Sequence, residues 1–263
     1  MRVRELMTSD VVVVPPEAPI TECLALMRAR AFRTLPVVEA GTHRPLGLLT
    51  EGKAAAAAPG AAARDAMAEF VSTRPEEPVY DALSRCAWSM QDAALVLHDG
   101  LLVGILTEYD AVKQAAAVLG DDLRVEDHAS TSLLCIDATR PAREALERMQ
   151  RAWVKDMVVL HDRRLAGTLP QRDCIAANVA DHPEITAGAL LPPSGGTRGF
   201  VYWDTLLRDA AAVAVQENVG CVPVVSDDGH MRVEAVVSRG DIVRALLASG
   251  AVGEGDLTVD PVG

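Results

Sequence analysis

The chain has 263 residues, 49% of them apolar and only 3% aromatic, with a formal net charge of −12. A sizeable core is affordable, built mostly from Val, Leu, Ala and Met. The acidic balance excludes nucleic acid and an anionic membrane as main partners, because both need a basic footprint, and no apolar stretch approaches the length of a membrane span.

In chain order, the first amphipathic segment opens at Pro19. Ile20, Cys23, Leu24 and Met27 recur at i, i+3, i+4 and i+7, which puts them on one helix face. Leu35–Val38 reads as a short strand centred on Val37, Gly41 as a turn, and Leu46–Thr50 as a closing strand around Gly47, with Lys53 beyond it. The pattern returns at Pro78: Val79, Ala82, Leu83 and Cys86 share a face, Ala94–Leu97 is centred on Val96, and Leu102–Thr107 contains Gly104 and leads to Asp110. The intervening Asp99–Gly100 is a strong hairpin signal.

The third copy starts at Pro141, with Ala142, Ala145, Leu146 and Met149 on its helix. It continues through Met157–Leu160, the His161–Asp162 turn, and Leu165–Leu169 around Gly167 to Asp173. The fourth starts at Leu206, with Leu207, Ala210, Ala211 and Ala214, then Val222–Val225, a turn through Asp227, Asp228 and Gly229, and Val233–Ser238 around Ala235 to Asp241. Helix starter and strand centre are eighteen residues apart in all four, so the chain is an internal repeat. Proline is expected at the first helical position, where its missing N–H costs nothing.

Each unit reads β–α–β–β–α, an α/β (α+β) architecture. A unit of about 55 residues buries too little surface alone, so pairs are expected, with sheets or helices face to face. The repeats are placed at residues 1–58, 59–118, 124–180 and 185–249, with a loose tail over 250–263. Ala54–Ala63, broken by Pro59–Gly60, joins the first two, and Val118–Leu123 separates the pairs.

Cys23, Cys86, Cys135, Cys174 and Cys221 are scattered, which suits reduced thiols in a cytoplasmic protein. No HxxxH or HExxH motif points to zinc. The N-terminus carries no apolar signal core.

The run Gly104-Ile-Leu-Thr107-Glu-Tyr-Asp110 resembles the cystathionine-β-synthase (CBS) domain. So does Val222-Pro-Val-Val225 followed by Ala235-Val-Val-Ser238-Arg-Gly-Asp241, and Glu5-Leu-Met-Thr8 is similar to that family's lead-in. The likeness covers about Val3 to Leu247. It implies four CBS repeats in two Bateman modules, a stand-alone regulatory protein that binds AMP, ADP, ATP or S-adenosylmethionine in clefts between repeats. No covalent cofactor is implied. The expected partners are the nucleotide and either a second copy of the chain or another protein.

On that resemblance, Asp110, Asp173 and Asp241 at the helix mouths would accept hydrogen bonds from ribose hydroxyls. Thr107 and Ser238 would contact the sugar or α-phosphate, and helix amides would add positive charge. Each Asp would equally serve as the N-cap of its helix. Adenine is placed near Val12, Val71 and Leu134. Repeat three has Pro170 in place of the hydroxyl, and repeat one has Lys53 in place of the carboxylate, so the clefts rank four and two, then three, then one.

Phosphates in the family are met by basic residues just before the first hairpin strand. Those positions hold Arg33-Thr34, Asp92-Ala93, Lys155-Asp156 and Gly220-Cys221, so only Arg33 and Lys155 qualify, and a solvated surface charge is the competing reading for each. The Ser194–Gly199 loop lacks a Walker lysine and reads as a plain loop. Trp88 and Trp153 read as module-packing contacts, with base stacking as the sharper alternative, and Trp203 lies at a strand-to-helix corner near the proposed cleft of repeat four, where it could stack on a base. No nucleophile elbow or metal cluster supports catalysis. Cys135 and Cys174 are the candidates for redox chemistry, without a visible activating group. A structural or oligomerisation module with decayed clefts is the rival to ligand sensing.

Overall fold

The computed structural model describes residues 1–89, 91–192 and 199–252. The stretch 193–198 and the tail beyond Val252 lie outside these, and with them most of the Ser194–Gly199 loop. The chain divides into two compact units: Met1–Ala111 with the segment from Leu247 onward, and Val112–Leu246.

The first unit contains repeats one and two. Repeat one comprises α1 (Val3–Leu6), α2 (Ile20–Arg30), the hairpin β1 (Thr34–Val38) and β2 (Pro45–Thr50), and α3 (Glu51–Ala55). Repeat two comprises α4 (Ala63–Ala66), β3 (Val71–Thr73), α5 (Val79–Trp88), β4 (Ala93–His98), β5 (Leu101–Thr107) and α6 (Glu108–Val118). The dividing line between units falls inside α6, which ends at Val118, where the sequence suggested a break.

In the second unit, repeat three has β6 (Cys135–Asp137), α7 (Ala142–Ala152), β7 (Asp156–His161), β8 (Arg164–Pro170) and α8 (Gln171–Ala176). Repeat four has α9 (Leu207–Gln216), β9 (Cys221–Val225), β10 (Val233–Ser238) and α10 (Arg239–Ala248). The architecture is four β–α–β–β–α repeats in two tandem modules. In repeats two and three the first strand is three residues long and runs parallel to the hairpin. In repeats one and four it shrinks to one bridge, Val14 to Val37 and Val201 to Val224.

Strand alternation sends one sheet face to the helices and the other to the sister repeat. Leu35, Val37 and Leu49 pack on Ile20, Cys23 and Met27. Val38 and Leu48 instead meet Ala93, Leu95, Leu102 and Ile105 of repeat two. In the second unit Val158 and Leu165 meet Val225 in the same way. The outer strands are guarded by arginines: Arg85 donates to the Ser72 carbonyl at 3.3 Å, and Arg148 donates to that of Cys135 at 3.0 Å. Arg85 also pairs with Glu77. Burial alone would raise the Glu77 pKa, but bonds from Arg85 and Thr73 outweigh it and hold the carboxyl below its usual range.

The three prolines do not occupy the first helical position. Pro19, Pro78 and Pro141, like Leu206, are extended N-caps with ψ between 133° and 140°. The reason is long-range. Each caps its helix while bridging the lead-in of the sister repeat: Pro19 to Ala62, Pro78 to Arg2, Pro141 to Thr186, Leu206 to Arg124. The lead-ins are therefore exchanged within each pair. The tail is also held at its start, where the Met1 amine donates to the Val252 carbonyl at 3.1 Å and Val252 is buried.

No helix among the described residues is long and apolar enough to cross a membrane.

Candidate functional site

In repeat two, Thr107 closes β5 opposite Ala93 at the start of β4, while Val71 opens β3 beside Ala94. These residues share one end of the sheet, and α6 starts directly after Thr107. Asp110 is the third residue of that helix. Its Oδ2 accepts from the Thr107 N–H at 2.9 Å and from the Thr107 hydroxyl at 2.6 Å, and the Thr107 Oγ1 accepts from the Asp110 N–H at 3.3 Å. This reciprocal box satisfies amides that the helix start would leave open. The hydroxyl residue is thus the cap and the carboxylate folds back from the first turn, which corrects the expectation that Asp itself caps.

Repeat four repeats the box. Ser238, opposite Cys221, donates its N–H at 2.8 Å and its hydroxyl at 2.6 Å to the Asp241 Oδ2, and accepts from the Asp241 N–H at 3.2 Å. Arg244 adds a bond to the other oxygen, Oδ1. In repeat three Pro170 caps α8 without a side-chain bond, and the Arg172 Nε lies 3.7 Å from Asp173. In repeat one Thr50 accepts from the Lys53 N–H at 3.3 Å, which is half of the box, and Lys53 is exposed.

The other expected positions gather at the same sheet ends. Thr34 pairs with Thr50, and the Arg33 carbonyl accepts from the Glu51 N–H at 2.9 Å. The Lys155 carbonyl accepts from the Gln171 N–H at 2.7 Å, and that of Leu134 from the Val158 N–H at 3.3 Å. Arg33, Thr34, Leu134 and Lys155 are all half-buried.

Three neighbours are not among the expected site residues. Gln91 accepts from the Val71 N–H at 3.0 Å and donates to the Glu69 carbonyl at 3.3 Å, so a carboxamide lies along the strand where adenine was placed. Asp156 is buried at the start of β7. Arg239 is buried beside Ser238 and donates to Asn218 at 2.9 Å. Only the last is hinted at in the sequence, as a departure from Glu51, Glu108 and Gln171 at the matching positions.

Trp88 and Trp153 are 89% and 90% exposed. Both stand where helices α5 and α7 end, and Trp153 adopts a left-handed φ of 56° that turns it away from the helix face. The Trp203 indole donates to Glu234 at 2.7 Å. Glu234 lies near the hairpin turn, at the opposite end of β10 from Ser238, so Trp203 does not stack at that site. Burial pushes the Cys174 thiol up to about 12, with Asp173 adding to it, and the Cys86 thiol up to about 11. A thiol so hard to ionise is a poor nucleophile, which argues against Cys174 in redox chemistry. Among the described residues no group of three His, Cys, Asp or Glu could hold a metal.

The CBS domain model matches residues 3–59, 125–180 and 204–248, more than half of the sequence. The chain belongs to the CBS domain family. Between those segments, repeat two shows the same element order. Among curated relatives, the uncharacterized protein MJ1404 of Methanocaldococcus jannaschii is 25% identical over 97% of this chain; the chain spans 64% of that relative's length. MJ1225 of the same organism is 20% identical, over 89% of this chain and 94% of its own. The crystal structure of MJ1225, described as a candidate archaeal homologue of g-AMPK, superposes with a TM-score of 0.82 at 17% identity, covering 93% and 99% of the two chains. An uncharacterized conserved protein of Pyrococcus horikoshii gives 0.68 at 15% identity, over 94% and 100%. At these identities the superpositions establish the shared fold.

Proposed function

We propose that this chain is a regulatory ligand sensor that binds an adenosine-containing ligand at the sheet ends of its repeats and acts by binding rather than catalysis. The observation that carries the reading is the hydroxyl–carboxylate box, built identically in repeats two and four at the spot where the CBS resemblance puts the ribose. Asp110 and Asp241 accept the ribose hydroxyls, Thr107 and Ser238 meet the sugar or α-phosphate, and Val71 and Leu134 flank the base. Asp173 serves a weaker site in repeat three. Arg33 with Thr34, and Lys155, supply phosphate contacts in one site of each module. The description of MJ1225 as a candidate g-AMPK homologue favours the same reading.

Ligand entry changes the packing of the paired repeats, and a second copy of the chain or a partner protein reads that change, in a cytoplasmic setting. This requires different affinity for two arrangements of the module. Isothermal titration of AMP, ADP, ATP and S-adenosylmethionine into the whole protein tests the reading. Saturable heat with at least one of them, lost in an Asp110→Asn/Asp241→Asn double variant, is expected. Absence of heat and of any melting shift at millimolar ligand overturns it. The second reading is a structural module with degenerate sites. It is favoured by Lys53 and Pro170, which remove one half of the box each from repeats one and three.

A further inference from the structure

Repeat four has a feature that its box alone does not explain. Both Asp241 oxygens are engaged: Oδ2 by the Ser238 N–H and hydroxyl, Oδ1 by Arg244. The carboxylate is 14% exposed, whereas the arginine side chain is 70% exposed. Arg244 therefore reaches in from solvent, one helical turn along α10, and places a charged N–H donor on the oxygen a ribose hydroxyl would use. The matching positions in repeats one and three are Ala56 and Ala176, and repeat two has the exposed Lys113. Gly220 and Cys221 stand at the start of the first hairpin strand of repeat four, so it has no basic group where repeats one and three have Arg33 and Lys155. The nearby Arg239 is turned inward to Asn218 and the Ala214 carbonyl.

We propose that Arg244 is a specificity residue of the repeat-four site that makes it select phosphorylated nucleosides over uncharged or cationic ones. The inference rests on the nucleotide reading above. A ribose hydroxyl that takes Oδ1 displaces the guanidinium. The guanidinium end of this ion pair is solvent-exposed, so water readily takes its place. A neutral nucleoside leaves the displaced cation with water alone. A nucleoside phosphate offers it two oxygens in the geometry that a guanidinium fork matches. A sulfonium ligand such as S-adenosylmethionine adds like-charge repulsion. Phosphate recognition in repeat four thus comes from the helix rather than from the strand start.

The test is titration of AMP and of adenosine into full-length protein carrying Asp110→Asn, which weakens repeat two, with and without Arg244→Ala or Arg244→Lys. The expected result is that Arg244→Ala lowers the preference for AMP over adenosine by about ten-fold, with adenosine affinity unchanged or higher, and that Arg244→Lys falls between. A preference unchanged within about two-fold, with both ligands still binding, overturns the role of Arg244 and leaves the nucleotide reading intact. If the unmodified protein binds neither ligand, both inferences fall. Arg244 is exposed, so the variants remain folded, and an unchanged melting temperature confirms it.

Discussion

Met7 lies directly over Gly104: a Cβ added at Gly104 would stand 2.6 Å from the Met7 Sδ and 3.2 Å from the Thr8 carbonyl oxygen. The relationship recurs. Met67 covers Gly47 at 2.8 Å, and Leu191 covers Gly167 at 3.0 Å. In the fourth instance the strand residue is Ala235, and the lead-in position matching Met7 is Ala129, fixed by the bridge from Ser130 to Val236 that parallels the one from Thr8 to Ile105. A methyl gained on the strand coincides with a long side chain lost above it.

Gly104→Ala should accordingly destabilise the protein by about 1–2 kcal/mol, and combining it with Met7→Ala should cost less than the sum of the two single changes. Urea denaturation of the four proteins in this cycle measures the coupling. Strict additivity would show that the two sites do not share space.

Thr168 is fully buried, and its hydroxyl has no hydrogen-bond partner among the described residues. Thr168→Val keeps the shape and removes the stranded polar atom, so it should stabilise the protein by about 1 kcal/mol. Thermal melting checks this; a lower melting temperature would mean that the hydroxyl is satisfied in solution.

The β7–β8 turn places Asp162 and Arg163 at φ of 50° and 62°, where the equivalent turn of repeat two uses Asp99 and Gly100 at 51° and 79°. Arginine has a Cβ that this conformation strains, and glycine does not. Arg163→Gly should raise stability by about 0.5–1 kcal/mol. Gly100→Ala, the reverse exchange, should lower it; melting curves that move the other way in both would refute the strain argument.

Asp228 in the β9–β10 turn accepts from the Ser226 hydroxyl at 2.7 Å and the His230 N–H at 2.9 Å and pairs with Arg232. These bonds, with Ser226 first, lower its pKa to about 2. The folded value lies below the unfolded one, so the contribution to turn stability is present above the ordinary carboxylate range and is lost as pH falls toward 2. A carboxyl NMR titration should find a midpoint near 2 that rises in Ser226→Ala. A midpoint near 4 in the unmodified protein contradicts this.

Cys23, Cys86 and Cys174 are buried, and Cys135 and Cys221 are partly exposed. Iodoacetamide at pH 8 should modify Cys135 and Cys221 in the native protein and the other three only after unfolding. Early labelling of Cys174, whose thiol sits near 12, would be inconsistent with its packing.

The sequence spelled out the helix faces because their apolar residues keep a helical period, and Ile20, Cys23 and Met27 are indeed core. The hairpins were legible for the same reason, with turn residues between apolar runs. The proline position was misread because Pro19, Pro78 and Pro141 are set by pairing with a distant segment, which no local propensity encodes. The exposure of Trp88 and Trp153 was hidden likewise, since apolar character alone does not say where a helix stops. At the site, the box between Ser238 and Asp241 follows from spacing, whereas the Gln91 carboxamide reaches Val71 across twenty residues and shows only in three dimensions.

The exchanged lead-ins bear on how the protein is made. The Val3 N–H donates to the Glu77 carbonyl and Thr8 bridges Ile105. The opening residues therefore leave the ribosome long before the surface they dock on has been translated. The first half of a module has no finished form to adopt during synthesis. It waits with an uncovered glycine strand until its sister emerges, so the pair is born as a single cooperative object, and a stop codon between the two would leave neither one whole.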